Sequence, residues 1–151
     1  MSALSTIGSR ALIAGVLAAG LTVSGAGLAG AGSVNVTVTG ARNDNGVVRC
    51  GLFNSPVGWR EPGKQFMKAE GKVAGGKGTC AFANVPEGTY AVALFHAEEG
   101  ERQVTFNVLG MPKQGVAFSN NLSITFGAPG FEKASFKVGK EPVNMSIKLI
   151  Y

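Results

Sequence analysis

The chain has 151 residues, 45% of them hydrophobic, with 14 Lys and Arg against 9 Asp and Glu and a single histidine. That length fits one ordinary domain, large enough to bury a core without metal or many crosslinks. The cations are scattered, and the densest run, Arg60 to Lys77, is interrupted by Glu61 and Glu70. No compact basic patch with interleaved aromatics marks a nucleic-acid interface.

Met1–Gly30 carries no acidic residue, and Arg10 is its one charged side chain. An apolar run, Ala11–Val23, follows, and small residues lead to Ala29-Gly30-Ala31. A positive start, an apolar middle and an A-x-A site predict a cleaved signal peptide, residues 1–31. The alternative is an uncleaved N-terminal anchor, although a spanning helix needs about 20 apolar residues. Cleavage would leave residues 32–151 as one domain with no further membrane span, in the periplasm or outside the cell. The two cysteines, Cys50 and Cys80, then read as a disulfide. Two buried free thiols are the alternative.

In Ser33–Thr39, Val34, Val36 and Val38 alternate with Asn35, Thr37 and Thr39. Period-two alternation predicts a half-buried strand. As an edge strand it could pair between copies of the chain. Arg42-Asn43-Asp44-Asn45-Gly46 is rich in residues that tolerate positive φ, which predicts a hairpin turn. Val47–Phe53 is the return strand, with Val48, Cys50 and Leu52 on one face. Asn54–Lys64 is a loop with Pro56, Gly58, Pro62 and Gly63. Trp59 within it reads either as a lid over one end of the core or as a ligand platform. Gln65–Val73 fits a short helix or a strand.

Thr79–Ala83 and Thr89–His96 are further strands, separated by the turn Asn84–Gly88. Tyr90, Val92, Leu94 and His96 share one face of the second, and Ala91, Ala93 and Phe95 share the other. Two apolar faces predict a central strand covered on both sides. Residues 96–131 are punctuated by Gly and Pro, with Val104–Val108 and Leu122–Phe126 as possible short strands. At the end, Ala134, Phe136 and Val138 alternate, Gly139–Pro142 turns, and Val143, Met145, Ile147 and Leu149 alternate again. That predicts a closing hairpin. Six to eight short strands with Gly/Pro turns predict an all-β, antiparallel, two-sheet sandwich of about seven strands with Greek-key-like connections.

Function on such a scaffold usually lies on loops, here residues 96–132. His96 closes a central strand, where it could serve as a base or metal ligand or as a structural hydrogen-bonder. Glu98, Glu99 and Glu101 are weak candidates for Ca²⁺, because the alternate-position oxygen pattern of a calcium loop is broken at Ala97 and Thr105. A solvated acidic loop is the simpler reading, and no cofactor is otherwise indicated. Ser119-Asn120-Asn121 beside Phe118 fits sugar or peptide recognition, or turn capping. No G-x-S-x-G surrounds Ser119, and one histidine cannot furnish a multi-histidine site.

Three segments, V-P-E-G-T-Y-A-V-A-L-F-H (85–96), G-M-P-K-Q-G-V-A-F-S-N-N (110–121) and F-G-A-P-G-F-E-K-A-S-F (126–136), resemble a bacterial family of exported proteins known only as a domain of unknown function. The likeness covers nearly all of residues 32–151. The P-E-G-T-Y segment is similar to prealbumin-like (transthyretin-like) sandwiches, which implies that fold. The resemblance marks His96, Lys113, Phe118, Ser119, Asn120, Asn121, Phe131 and Glu132 as candidate ligand-binding residues. Relatives follow the histidine with an acidic, Asn/Gly-rich loop like a calcium site. This chain departs there, with Ala97, Glu99, Glu101 and Thr105. Some prealbumin-like proteins hydrolyse a purine-breakdown intermediate, using several histidines and a C-terminal Tyr-Arg-Gly-Ser. This chain has one histidine and ends Lys148-Leu149-Ile150-Tyr151. The leading expectation is therefore a non-enzymatic binding or accessory module for a protein, peptide or glycan of the cell envelope. A hydrolase with His96 as base and a Ca²⁺-stabilised module are the alternatives.

Overall fold

A computed structural model describes residues 30–151. The signal-peptide expectation, residues 1–31, falls on residues 1–29 for all but its last two positions and so lies outside the described residues. Among the described residues eight strands form: β1 Gly32–Thr39, β2 Val47–Phe53, β3 Met67–Lys72, β4 Gly78–Val85, β5 Gly88–Ala97, β6 Val116–Phe118, β7 Ser135–Val138 and β8 Val143–Lys148. A short helix, α1 Phe131–Ala134, precedes β7. The segment that fitted helix or strand is strand β3.

Two sheets face each other. One is three-stranded, in the order β4-β1-β8, and the other five-stranded, in the order β3-β2-β5-β6 with β7 also on β5. This is the all-β sandwich that the alternating segments predict. Its inner faces supply the core: Val34, Val36 and Val38 from β1, Val48 and Leu52 from β2, Phe82 from β4, Val92 and Leu94 from β5, and Ile147 from β8. Each alternate residue of these strands points to the same face, so the polar partners, such as Asn35 and Thr37, are left outside.

The neighbours in the sheets differ from the neighbours in sequence. Segment 42–46, which its residues predict as a hairpin turn, does not join a β1–β2 hairpin: β1 pairs with β4 and β8, and β2 with β3 and β5. The valines of β1 and the apolar face of β2 seek the same core, and they meet across it rather than side by side. Asp44 accordingly does not close a tight turn. Its carboxylate accepts the backbone N–H groups of Gly75 and Gly76, at 2.9 and 2.8 Å. The closing hairpin fails for the same reason, since β7 pairs with β5 and β8 with β1. The β1–β8 pair is parallel, so the three-stranded sheet is mixed rather than antiparallel. β1 is the centre of that sheet and not an edge. Neither Val104–Val108 nor Leu122–Phe126 is a strand; each contributes only to an isolated bridge, Phe106–Pro112 and Thr125–Gly127. The strand in that stretch is β6.

Cys50 on β2 and Cys80 on β4 form a disulfide, with Cα atoms 6.4 Å apart. It joins the two sheets through the core. Strands β3 and β4 also approach closely beside it: a Cβ on Gly71 would lie 2.1 Å from the Thr79 carbonyl oxygen, so only glycine fits.

β5 holds the site-bearing side of the molecule together. Its inner face joins the core; its outer face is covered at the Ala91 end, while Ala93 and Phe95 are half-buried, so the expectation of a strand covered on both sides holds in part. Phe53, Ala91, Phe131 and Ala134 form a second buried cluster there, with Trp59, Ala93 and Leu122 packed against it.

Candidate functional site

The edge of β5 is shared by two strands. Gly88–Ala91 pairs with β7 and Ala93–Phe95 with β6. Between them Val92 has no ladder partner on that side. Ser119, fully buried, fills the gap: its Oγ accepts the Val92 N–H at 2.9 Å and donates to the Ala134 carbonyl. Asn120 and Asn121 then turn the chain at φ 66° and 49°, left-handed values that asparagine tolerates better than most residues. Asn120 Nδ2 donates to the Lys133 and Ser135 carbonyls. Asn121 Nδ2 donates to the Ser146 carbonyl, and its Oδ1 accepts the Lys148 N–H, which ties this turn to β8 of the opposite sheet. These three polar side chains spend their hydrogen bonds on backbone.

His96 lies at the end of β5 with no exposed surface. Its Nε2 is 2.7 Å from the Asn45 carbonyl oxygen, which can only accept, so Nε2 carries the proton. Nδ1 then accepts from the Tyr151 hydroxyl at 2.8 Å. That hydroxyl in turn accepts the Arg42 N–H at 3.1 Å. The Arg42 guanidinium stands 4.7 Å from the Tyr151 ring centroid and grips Glu98 through two hydrogen bonds of 2.6 and 2.8 Å. This grip holds the Glu98 carboxyl below its usual range. Burial pushes the Tyr151 phenol up. The other acids of the loop point elsewhere: Glu101 accepts from Gln114 Nε2 and from the Glu99 N–H, and the Glu99 side chain is exposed. Among the described residues no three His, Cys, Asp or Glu side chains are grouped as metal ligands.

The remaining candidates divide between surface and outer cluster. Lys113 and Glu132 are exposed, whereas Phe118 and Phe131 are buried. Trp59 packs as a lid, with ring centroids 5.0 Å from Phe53, 5.8 Å from Phe131 and 6.2 Å from Phe118. Its indole N–H donates to the Pro129 carbonyl at 2.8 Å, clamping loop 122–130 to loop 54–64. His96, Ser119 to Asn121, and the Phe118–Phe131 pair thus occupy three different settings.

What the loops do enclose is a groove of about 900 Å³ on the outer face of the five-stranded sheet. Its floor comes from β2 and β5, with Gly51, Ala93 and Phe95 among the lining residues, and β6 adds Val116 and Phe118. Phe106, Met111, Pro112, Ile124 and Ala128 wall it. Arg49, Arg60, Lys68 and Arg102 also line it, with Glu70 as the one carboxylate. Glu70 pairs with Arg49. Sequence reasoning named Phe118 here but missed the four cations and Gln65. A local signal existed for Arg49 alone, which alternates away from the core face of β2. The others stand on loops or on an exposed strand face, where spacing carries no direction.

The geometry defines a small disulfide-linked β-sandwich with a groove on the outer face of its five-stranded sheet. A family model described as an uncharacterised protein conserved in bacteria (DUF2141) matches residues 36–146, and the chain belongs to that family. No curated protein and no solved structure matches it.

Proposed function

We propose that the protein is an exported, non-enzymatic binding module whose ligand sits in the outer-face groove beneath loop 96–132. The observation that carries this reading is the groove itself. Its volume falls within the range of about 300–1,000 Å³ of small-molecule sites, and its floor is apolar at Gly51, Ala93 and Phe95 with Arg49 beside Phe95 and further cations in the lining. The disulfide and the signal-like start of the chain support export to an oxidising compartment, the periplasm or the exterior. The non-enzymatic part rests on His96. As the one histidine it is the natural general base, yet it is buried, both its ring nitrogens are engaged, and it does not line the groove.

The test is native mass spectrometry of the protein purified from the envelope or medium of its producing cells. A bound small molecule is expected, and it should be lost from Ala93→Leu, which raises the floor, and from Ala128→Trp, which narrows the mouth. An adduct retained by both variants would put the ligand elsewhere. No adduct, with no thermal stabilisation by an envelope extract, would remove the binding reading.

A further inference from the structure

The chemistry of the groove narrows its ligand. The floor is the face of a sheet, and both β2 and β5 have paired strands on each side. Their backbone groups are spent in ladders, so the floor offers side-chain surface and little hydrogen bonding. A peptide that binds by adding a strand needs an open sheet edge, and this floor has none. A sugar needs convergent polar groups around its hydroxyls; Gly51, Ala93 and Phe95 supply none, and the uncharged polar side chains of the lining, Gln65, Gln103 and Thr125, come from three separate segments.

The charged groups are different. Four cations line the groove, Arg49 on β2 beside Phe95 together with Arg60, Lys68 and Arg102, against a single carboxylate already paired with Arg49. Arg49 Nε and Gln65 Oε1 are buried with no hydrogen-bond partner, and both residues line this groove. Buried polar atoms left unmatched are rare enough in folded proteins to need a reason. Arg60 is held at φ 65°, an uncommon value for a residue with a side chain. The lip is also unusual. Val108 and Phe126 are fully exposed and Leu109 is 82% exposed, on the two loops that wall the groove. Single exposed apolar residues are ordinary; a concentration of them on one rim marks a contact surface.

We propose that the groove takes a single-chain amphiphile with an anionic head, the acyl chain lying on the Ala93–Phe95 floor and the head meeting Arg60 and Arg102. The exposed lip is the part that touches a lipid surface as the amphiphile is taken up or released. This proposal rests on the groove reading above and names its ligand class.

Trp59 is the one tryptophan and packs on Phe53 and Phe118, two groove-lining residues, so its emission reports occupancy. The probe is palmitate, titrated below its micelle concentration into the purified protein. A saturable change in emission is expected. Hexadecanol, with the same chain and no charge, should bind at least about tenfold more weakly. The exposed-loop variant Arg60→Glu/Arg102→Glu should weaken palmitate binding at least about tenfold and leave hexadecanol unchanged. Equal binding of both probes, or unchanged palmitate binding by the variant, would overturn the anionic head. Tight binding to phosphatidylglycerol vesicles with no competition from palmitate would replace a bound ligand by the membrane surface and overturn the proposal. No saturable response to palmitate would also overturn it, while a different adduct lost from Ala93→Leu would leave the groove reading standing.

Discussion

Ser119 Oγ accepts the Val92 N–H at 2.9 Å at the point where β5 passes from one edge partner to the other. A hydroxyl here stands in for a missing strand, and its second bond, to the Ala134 carbonyl, fixes the end of α1. Ser119→Ala leaves a buried donor and a buried acceptor without partners. The expected cost is about 1–3 kcal/mol, read as a lower midpoint in urea unfolding. An unchanged midpoint would mean that water or a shifted strand replaces the hydroxyl.

The Cys50–Cys80 bridge closes a sequence separation of 30 residues between the two sheets. Reducing it frees the unfolded chain, and the entropy model gives about 3–4 kcal/mol for a loop of this size. Guanidinium unfolding with and without reductant should differ by that order. Mass spectrometry of the intact chain should show a gain of about 2 Da on reduction.

The His96–Tyr151 contact makes a prediction with a spectroscopic readout. The Asn45 carbonyl can only accept, so the ¹⁵N shifts of the His96 ring should show a protonated Nε2. Tyr151→Phe removes the hydroxyl that Nδ1 accepts from, and should lower stability by about 1–3 kcal/mol in urea unfolding. The opposite tautomer would contradict the hydrogen-bond assignment.

Two carboxylates make stability depend on acid. Arg42 holds Glu98 below its usual range, and the Gly76 and Gly75 N–H groups do the same for Asp44. A carboxyl depressed in the folded state binds its proton more readily when unfolded. Its contribution is therefore fully present above the ordinary carboxylate range, about pH 4–5, and is lost as pH falls through the lower folded value. Thermal melts from pH 7 to pH 3 should show a falling midpoint. Arg42→Ala should flatten part of that fall, and Asp44→Asn another part.

Much of this fold is legible in the residues. Val34, Val36 and Val38 alternate so strictly that β1 and its buried face follow directly, and the apolar character of both faces of β5 signals its central position. Pairing is less legible. Alternation says which side chains face inward but not which strand lies alongside, so two turns between consecutive strands looked like hairpins and are crossings between sheets. The site is legible only in part. Ser119, Asn120 and Asn121 show their turn-forming chemistry in their residue types. The partnership of His96 with Tyr151, 55 residues away, leaves no local trace. The cations of the groove share no period, because loops bring them together.

The parallel pairing of β1 with β8 sets the order in which the molecule can exist. Asn35 and its partner Asn144 are 109 residues apart, and β1 needs β8 to complete its sheet. A chain still emerging from the ribosome therefore lacks one side of its first strand until residues 143–148 are free. Contacts of such long range form late and slowly. Under the export reading, a sandwich sealed by its last strand stays threadable for as long as it is being made.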